Sequence, residues 1–203
     1  MFRRRMLALS ICAGIATPSL ALAGDRPLLS AAHDVAITYR LLGPRPGILH
    51  MSIQASTGLA RVEGPILHGY GIVDRKAQRM TLVMTEQHIY LEIPAAAAQL
   101  RLPELDPSAR FTRRGTETIA GRRCTNWDYA SDHVTGGACI TDDGVMLRVH
   151  DSSGQRGIEA TEVTYVSRPD ADFHPPAGFI QQKLPQISGL ALPLPLPGGV
   201  APR

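Results

Sequence analysis

Short segments of alternating apolar and polar residues follow one another along the first half of the chain. They are rich in Val, Ile, Tyr and Thr and are separated by Gly, Pro or charged turns, which is typical of antiparallel strands. In one of them Met80, Leu82 and Met84 alternate with Thr81 and Val83, which predicts a sheet with one buried face. The predicted strands of this half are 34–42, 48–55, 59–63, 69–73, 79–85 and 88–93.

The same pattern resumes after Pro107, and a hairpin signal helps to set its register. Asp143-Gly144 indicates a two-residue turn, because both central positions of such a turn need positive φ. This turn pairs Asp142 with Val145. The predicted strands of this half are 111–114, 119–130, 138–141, 145–150 and 159–166.

Helical signals are few and short. Pro94, four alanines, Gln99 and Leu100 predict one short helix over 94–100, since proline suits the first turn and alanine has the best helix propensity. A weaker signal covers 28–33. Alternating prolines after residue 184 exclude a helix or a central strand, so 184–203 is expected to be an extended or flexible tail. A mobile end is favoured over a docking segment for this tail.

The first residues have the features of an export signal. Met1-Phe2-Arg3-Arg4-Arg5 is cationic, the run from Met6 to about Leu20 carries no charge, and Ala21-Leu22-Ala23 supplies the small residues of a cleavage site. Cleavage between Ala23 and Gly24 is expected, with a periplasmic or secreted product. The apolar run is too short to span a bilayer comfortably, which takes roughly 20 residues. An uncleaved anchor is the less favoured alternative, and no transmembrane segment is expected after cleavage.

Removal of residues 1–23 changes the charge of the chain. The whole sequence has 21 basic and 18 acidic residues, and the signal contains three arginines and no acid, so the remainder is neutral. A neutral domain has no strong field for DNA or RNA, and a nucleic-acid partner is disfavoured. The predicted organisation is a signal peptide at 1–23, a single β-rich domain at 24–183 and a Pro/Leu-rich tail at 184–203.

Two cysteines remain after cleavage, because Cys12 lies inside the signal. In an exported protein Cys124 and Cys139 are expected to form a disulfide. The hairpin register places Cys139 opposite Arg148, and a second turn near Asp132-His133 is expected to place Cys124 opposite Cys139. A reactive thiol or a metal-binding pair is the alternative.

Signatures of catalysis are missing from the sequence. It contains no GxSxG, P-loop, HExxH or GxGxxG motif, and its seven histidines are scattered. No catalytic residue, metal site or cofactor is therefore expected.

Two arginine pairs flank a predicted hairpin around Ala120-Gly121. They could bring four guanidinium groups together as an anion-binding site. A solvent-exposed charged face is the favoured alternative. These arginines are Arg113, Arg114, Arg122 and Arg123.

The stretch Gly115-Thr116-Glu117-Thr118-Ile119-Ala120-Gly121-Arg122-Arg123-Cys124-Thr125-Asn126-Trp127 resembles a hallmark of small exported bacterial proteins of the lipoprotein-carrier-like superfamily, the LolA, LolB and LppX type. Gly137-Ala138-Cys139, residues 143–148 and residues 172–179 fit the same group. The resemblance implies a mainly β fold with minor α: a curved antiparallel sheet forming an open half-barrel around one or two short helices. In relatives of this type the concave apolar face receives acyl chains.

The first functional hypothesis is therefore a non-enzymatic binding module that holds a lipid or another hydrophobic ligand. The candidate ligand-facing residues are Met80, Leu82, Met84, Tyr90 and Ile93. Closed packing beneath a helix is the simpler explanation of the same apolar stripe. The second hypothesis is a cell-envelope interaction or assembly factor with a purely structural core, which meets a protein partner through the tail or a sheet edge.

Overall fold

The computed structural model describes residues 26–65, 67–94, 109–131 and 135–183. In these residues twelve strands form one large curved sheet that stays open. All neighbouring strands are antiparallel except β12, which runs parallel to β6. The strands are β1 (Val35–Leu42), β2 (Ile48–Gln54), β3 (Leu59–Glu63), β4 (Gly69–Asp74), β5 (Arg79–Met84), β6 (Ile89–Pro94), β7 (Arg110–Ile119), β8 (Arg122–Ala130), β9 (Thr135–Ile140), β10 (Met146–Asp151), β11 (Gly157–Thr164) and β12 (Ile180–Gln182).

The sheet consists of two meanders joined at one seam. Strands β1 to β6 are neighbours in chain order, as are β7 to β11, and the two sets meet where β1 pairs with β11. At this seam Ile37 lies opposite Val163 and Leu41 opposite Ile158. The mainly β fold and the open curved sheet are thus confirmed.

One face of the sheet, which we call the apolar face, carries a continuous buried row. Because side chains alternate along each strand, the register places apolar residues from successive strands side by side. The row across the first meander consists of Val35, Ile53, Ala60, Val73, Met80 and Ile93, each less than 9% exposed. We call the opposite face the polar face.

The hairpin predicted around Ala120-Gly121 is present between β7 and β8, and its turn divides the predicted strand 119–130. Ala120 and Gly121 have φ of 49° and 71°, as the two central positions of a type I′ turn require. Strand β7 therefore ends at Ile119 and β8 begins at Arg122.

The turn between β9 and β10 differs from the prediction. Thr141 donates its backbone N–H to the carbonyl of Val145 at 2.9 Å, so the loop has three residues and the predicted pairing of Asp142 with Val145 is wrong. The Thr141 hydroxyl also accepts the N–H of Val145 at 2.8 Å, which fixes the longer loop. Of Asp143 and Gly144, only Gly144 has positive φ, at 85°.

The segment before β1 is not helical, so the helix predicted over 28–33 is wrong. Ala32 donates its N–H to the carbonyl of Asp143 at 2.9 Å, and Gly144 packs against the carbonyl of Ser30 so closely that a Cβ there would lie 2.2 Å from it. Partners in the β9–β10 turn thus replace the i to i+4 bonds of a helix.

Residues 167–182, which we call the C-terminal strap, cross the polar face. The strap contains the only helical turn of the described ranges, a 3-10 turn at Asp170–Phe173, and ends as β12 on the edge of β6. Tyr70 donates its hydroxyl to the carbonyl of His174 at 3.3 Å, and Phe179 lies 5.2 Å from the His88 ring. The strap lies over a small apolar cluster of that face, formed by Tyr70, Ile72 and Val83.

Several sequence predictions fall outside the described residues. These are the signal peptide at 1–23, positions 95–100 of the predicted short helix, the Asp132-His133 turn and the tail at 184–203. Pro94, where that helix was predicted to begin, is the last residue of β6. No helix in the described ranges has the length and apolar character needed to cross a membrane.

Candidate functional site

Cys124 and Cys139 form a disulfide with a Cα–Cα distance of 5.4 Å, and it joins the adjacent strands β8 and β9. As predicted, Cys139 lies opposite Arg148. The predicted opposition of the two cysteines is wrong, because Ala130 pairs with Thr135 and this register places Asn126 opposite Cys139. The bond is therefore diagonal across the ladder. The carboxylate of Glu117 lies beside the two sulfurs, but bonded sulfurs offer a metal no thiolate.

Next to the disulfide, a row of charges on the polar face links four strands. Glu159 of β11 accepts from Arg40 of β1 at 2.5 Å and from Arg148 of β10 at 3.3 Å, and Arg148 also pairs with Glu117 of β7. Burial raises the pKa of the Glu159 carboxyl, but the two arginines outweigh it and hold the pKa below its ordinary value. This row crosses the seam between the two meanders.

The four arginines predicted to share one rim are spread along the β7–β8 hairpin. Arg113 lies opposite Trp127, five positions along β8 from Arg122, a separation of about 17 Å. Arg114 pairs with Asp128 at 2.6 Å, and the guanidinium of Arg122 lies 4.9 Å from the Tyr165 ring centre. Arg123, opposite Thr118, is exposed. They do not form a single cluster.

A polar contact that the sequence did not reveal joins the β9–β10 turn to the end of β11. The hydroxyl of Tyr165 donates to Asp143 at 2.6 Å, and that of Thr141 donates to the other carboxylate oxygen at 2.5 Å. For Asp143, burial raises the pKa, but these two hydrogen bonds outweigh it and lower the pKa. Burial and the bond to Asp143 raise the pKa of Tyr165 to about 12. These shifts reflect a turn lock and need no ligand.

The predicted ligand-facing residues divide between the two faces. Met80 lies opposite Ile93, Leu82 opposite Leu91 and Met84 opposite Ile89, so these six share the apolar face. Met80 and Ile93 are only 3% and 1% exposed. The other four are half-buried, and we call Leu82, Met84, Ile89 and Leu91 the apolar patch. Tyr90 lies opposite Val83 on the polar face and packs with the cluster beneath the strap.

A cavity of ≈ 270 Å³ opens on the polar face at the seam. Two neighbouring cross-strand rows form its floor and walls, and Arg168 of the strap closes one side. The first row is Glu162, Thr38, His50 and Glu63, and the second is Thr164, Ala36, Ser52 and Arg61. The small side chains of Ala36 and Ser52 in the middle of the second row leave the depression between longer neighbours.

Two arginines line this cavity and are held from behind by one residue of the strap. Arg168 donates to the Asp172 carboxylate at 2.8 Å, and Arg61 donates to the Asp172 carbonyl at 2.9 Å. Arg61 also pairs with Glu63 at 2.6 Å and stacks 3.4 Å from the Tyr70 ring centre, while Arg168 donates to Ser52 at 3.2 Å. Both guanidinium groups are therefore fixed in place.

Within the cavity the Oγ1 atom of Thr38 lies 3.3 Å from the Nδ1 atom of His50. The sequence does not indicate this site, because its residues come from four strands and the C-terminal strap. Only the register across β11, β1, β2 and β3, together with the strap, brings them together.

Comparison with known proteins places part of the chain in context. Residues 50–147, just under half of the chain, match a family model described as a domain of unknown function, DUF4412. No curated protein matches the chain in sequence. An uncharacterized conserved protein from Thermus thermophilus has a similar structure, with a TM-score of 0.53, 11% identity, and coverage of 75% of this chain and 91% of that one.

Two further solved structures show weaker likeness. The structure of PNGF-II has a TM-score of 0.48 and 13% sequence identity. The match covers 75% of this chain and 31% of the PNGF-II chain. The complex of Pseudomonas aeruginosa MucA and MucB gives 0.45 at 16% identity over 71% of this chain and 56% of that one. What the comparisons establish is a fold shared with the Thermus protein and a match of residues 50–147 to the domain family.

Proposed function

We propose that this chain is an exported, non-enzymatic binding module that holds a lipid or another hydrophobic ligand at the apolar patch. The observation that carries the proposal is the half-buried state of Leu82, Met84, Ile89 and Leu91, which continue the fully buried row of Met80 and Ile93. Apolar side chains left partly uncovered beside a core are what a hydrophobic ligand recognises.

Export is supported by the disulfide as well as by the N-terminal sequence. Disulfides form and persist mainly in the periplasm and other oxidising compartments, and the Cys124–Cys139 bond lies in the described core. Membership of the lipoprotein-carrier-like superfamily is part of the same proposal. It is supported by the 115–127 stretch together with the open curved sheet.

A non-enzymatic role is supported by where the shifted pKa values occur. Catalytic groups usually have perturbed pKa values inside a cleft. Here, Asp143 and Tyr165 lock a turn, Asp151 accepts bonds from its own turn, and Glu159 joins the ion-pair row. Each of these shifts has a structural cause.

The proposal is tested by purifying the protein from the bacterial envelope without detergent, extracting it with organic solvent and analysing the extract by mass spectrometry. We expect a co-purifying lipid whose amount falls in Leu82→Gln and Leu91→Gln. Glu92→Gln, on the other face of β6, is the matched control and should retain it. No lipid in the native protein, or equal lipid in all variants, would contradict the proposal.

A second candidate function is protein interaction through a sheet edge. Strand β7 is ten residues long, lies at one edge of the described sheet and is mostly exposed, which suits addition of an extended segment from a partner. Capture of an envelope partner should then be lost in Thr112→Pro and kept when 184–203 are deleted. Loss only upon deletion would assign the interaction to the tail instead.

A further inference from the structure

The polar cavity at the seam differs in every respect from the apolar patch. It lies on the other face of the sheet, has charged and hydroxyl-bearing walls, and measures ≈ 270 Å³. Ligand pockets generally range from about 300 to 1,000 Å³, so this cavity suits a small molecule and is too small for an acyl chain.

The positive side of the cavity is preorganised. An arginine has five N–H donors, and the contacts described above use two on Arg61 and two on Arg168. The remaining donors are held in place by Asp172, Glu63 and Ser52. Planar guanidinium groups with free N–H donors bind carboxylates well, and a fixed side chain loses little entropy on binding.

The negative side lies across the cavity on β11. Glu162 lines the cavity, is exposed, and makes no hydrogen bond or ion pair to the residues that the structure describes. Arg168 donates to Ser52 on β2, and Glu162 lies two strands across and two residues along, so the backbones of Ser52 and Glu162 are about 12 Å apart. Arg168 and Glu162 both line the cavity, so a small molecule inside it can contact both side chains.

The two sides of the cavity differ in what they offer a ligand. Arg61 pairs with Glu63 and Arg168 with Asp172, and each guanidinium keeps N–H donors beyond these contacts, whereas Glu162 on the other side is a carboxylate without a described partner. A bare anion would meet the repulsion of Glu162, and a bare cation that of the arginines. A ligand with both charges satisfies both sides at once.

We propose that this cavity binds a small zwitterion of the α-amino acid class, with its carboxylate on Arg168 and Arg61 and its ammonium group on Glu162. Thr38 of β1 lies between the two sides, Thr164 lies beside Glu162 on β11, and both hydroxyls line the cavity and hydrogen-bond the ligand. The site is independent of the apolar patch, so a failure of one proposal leaves the other standing.

The test measures binding of individual L-amino acids to the purified full chain by thermal shift and calorimetry, with glucose and inorganic phosphate as comparison probes. At least one amino acid should raise the melting temperature and saturate. Glu162→Gln and Arg168→Gln should each weaken its binding about tenfold or more, as expected for loss of a charge-assisted hydrogen bond. Arg79→Gln, which removes two ion pairs outside the cavity, with Asp74 of β4 and Glu92 of β6, is the matched control and should bind normally.

Three results would overturn the proposal: no amino acid binds, glucose or phosphate binds better than every amino acid, or binding is unchanged in Glu162→Gln. If Arg168→Gln fails to fold, Glu162→Gln decides the question alone, because its side chain is exposed and supports no contact of the described core.

Discussion

At the scale of single residues, the least predictable feature is the role of Thr141. Its hydroxyl donates to Asp143 and accepts from Val145, which turns a two-residue signal into a three-residue loop. Asp143-Gly144 does mark a turn, but the side chain before it sets the loop length. The choice between a two-residue and a three-residue loop depends on the hydrogen bonds of the Thr141 hydroxyl, which the local sequence pattern does not contain.

Tyr165 provides a pH-dependent test of this turn lock. Its pKa is raised from 10.0 to about 12, by burial first and then by the bond to Asp143. A raised folded pKa means that the associated stabilisation is present below pH 10 and is lost as pH rises through the folded value. In an ultraviolet titration of tyrosinate we expect the Tyr165→Phe variant to lack one component whose midpoint in the wild type lies at about pH 12.

Asp143→Asn separates the two causes of that shift. The variant keeps the burial of Tyr165 but removes the negative charge, so the Tyr165 midpoint should fall toward the ordinary value. An unchanged midpoint would mean that the hydroxyl does not bond to Asp143 in solution.

At the scale of elements, strands β1 to β6 were predicted to within one residue at each end, and the reason is local. Each is bounded by Gly, Pro or charged residues, and β5 also has a clear alternation. By contrast, β12 was missed, because its three residues, Ile180 to Gln182, are all exposed and its pairing with β6 comes from a distant part of the chain. The Cys124–Cys139 bond was predicted from the cysteine count, whereas its diagonal geometry needed the β8–β9 register.

The disulfide is expected to stabilise the β8–β9 hairpin from inside the core. Cys124→Ala with Cys139→Ala should lower the free energy of unfolding by about 3 kcal/mol, the chain-entropy value for a loop of this length. Urea denaturation of the variant and of the oxidised protein measures the difference.

Because the disulfide is buried, its rate of reduction provides a second test. The two cysteines are 2% and 0% exposed, so a reductant should act on the native protein only through unfolding. Fast reduction without loss of structure would contradict a buried disulfide.

Phe173 is the one fully buried side chain of the C-terminal strap. Phe173 is 2% exposed, and its truncation to alanine should cost about 3–5 kcal/mol and increase hydrogen exchange in β3 and β4, which lie under the strap. Ile180→Ala is the control, since Ile180 is 64% exposed and its loss should change stability little. Equal effects of the two changes would show that the strap is not anchored at Phe173.

At the scale of the whole molecule, the seam between the meanders combines two features that no local pattern contains. The charge row of Arg40, Glu159, Arg148 and Glu117 crosses it, and the polar cavity opens beside it. Composition and motifs indicated a neutral exported β domain, but the cavity became visible only through the pairing of β1 with β11. By comparison, the shared face of Met80, Leu82 and Met84 could be predicted from the alternation within β5 alone.

Glu159 is the central member of the charge row, and its removal should weaken the seam. Glu159→Gln leaves Arg40 without its carboxylate and Arg148 with Glu117 alone, and it should lower stability at neutral pH by about 1–3 kcal/mol. Because the folded pKa of Glu159 is lowered from 4.5, its contribution is present above pH 4.5 and is lost as pH falls through the folded value.

The difference between wild type and Glu159→Gln in urea unfolding should therefore shrink in acid. Glu92→Gln, which is exposed near the β6 edge, is the control and should change stability little at either pH. A difference that persists unchanged in acid would argue against an ionised Glu159 at the seam.

The pairing of β1 with β11 also has a consequence for the order in which the protein can fold. Strand β1 is made first among the strands, yet one of its two partners ends at Thr164, near the end of the domain. Until β11 arrives, an incomplete chain exposes the N–H and C=O groups along one side of β1, and such open strands invite association with other chains. Folding of the complete sheet should therefore be slow and late, as contacts between distant segments generally require. A chain truncated before Gly157 should aggregate, whereas one truncated after Lys183 should fold.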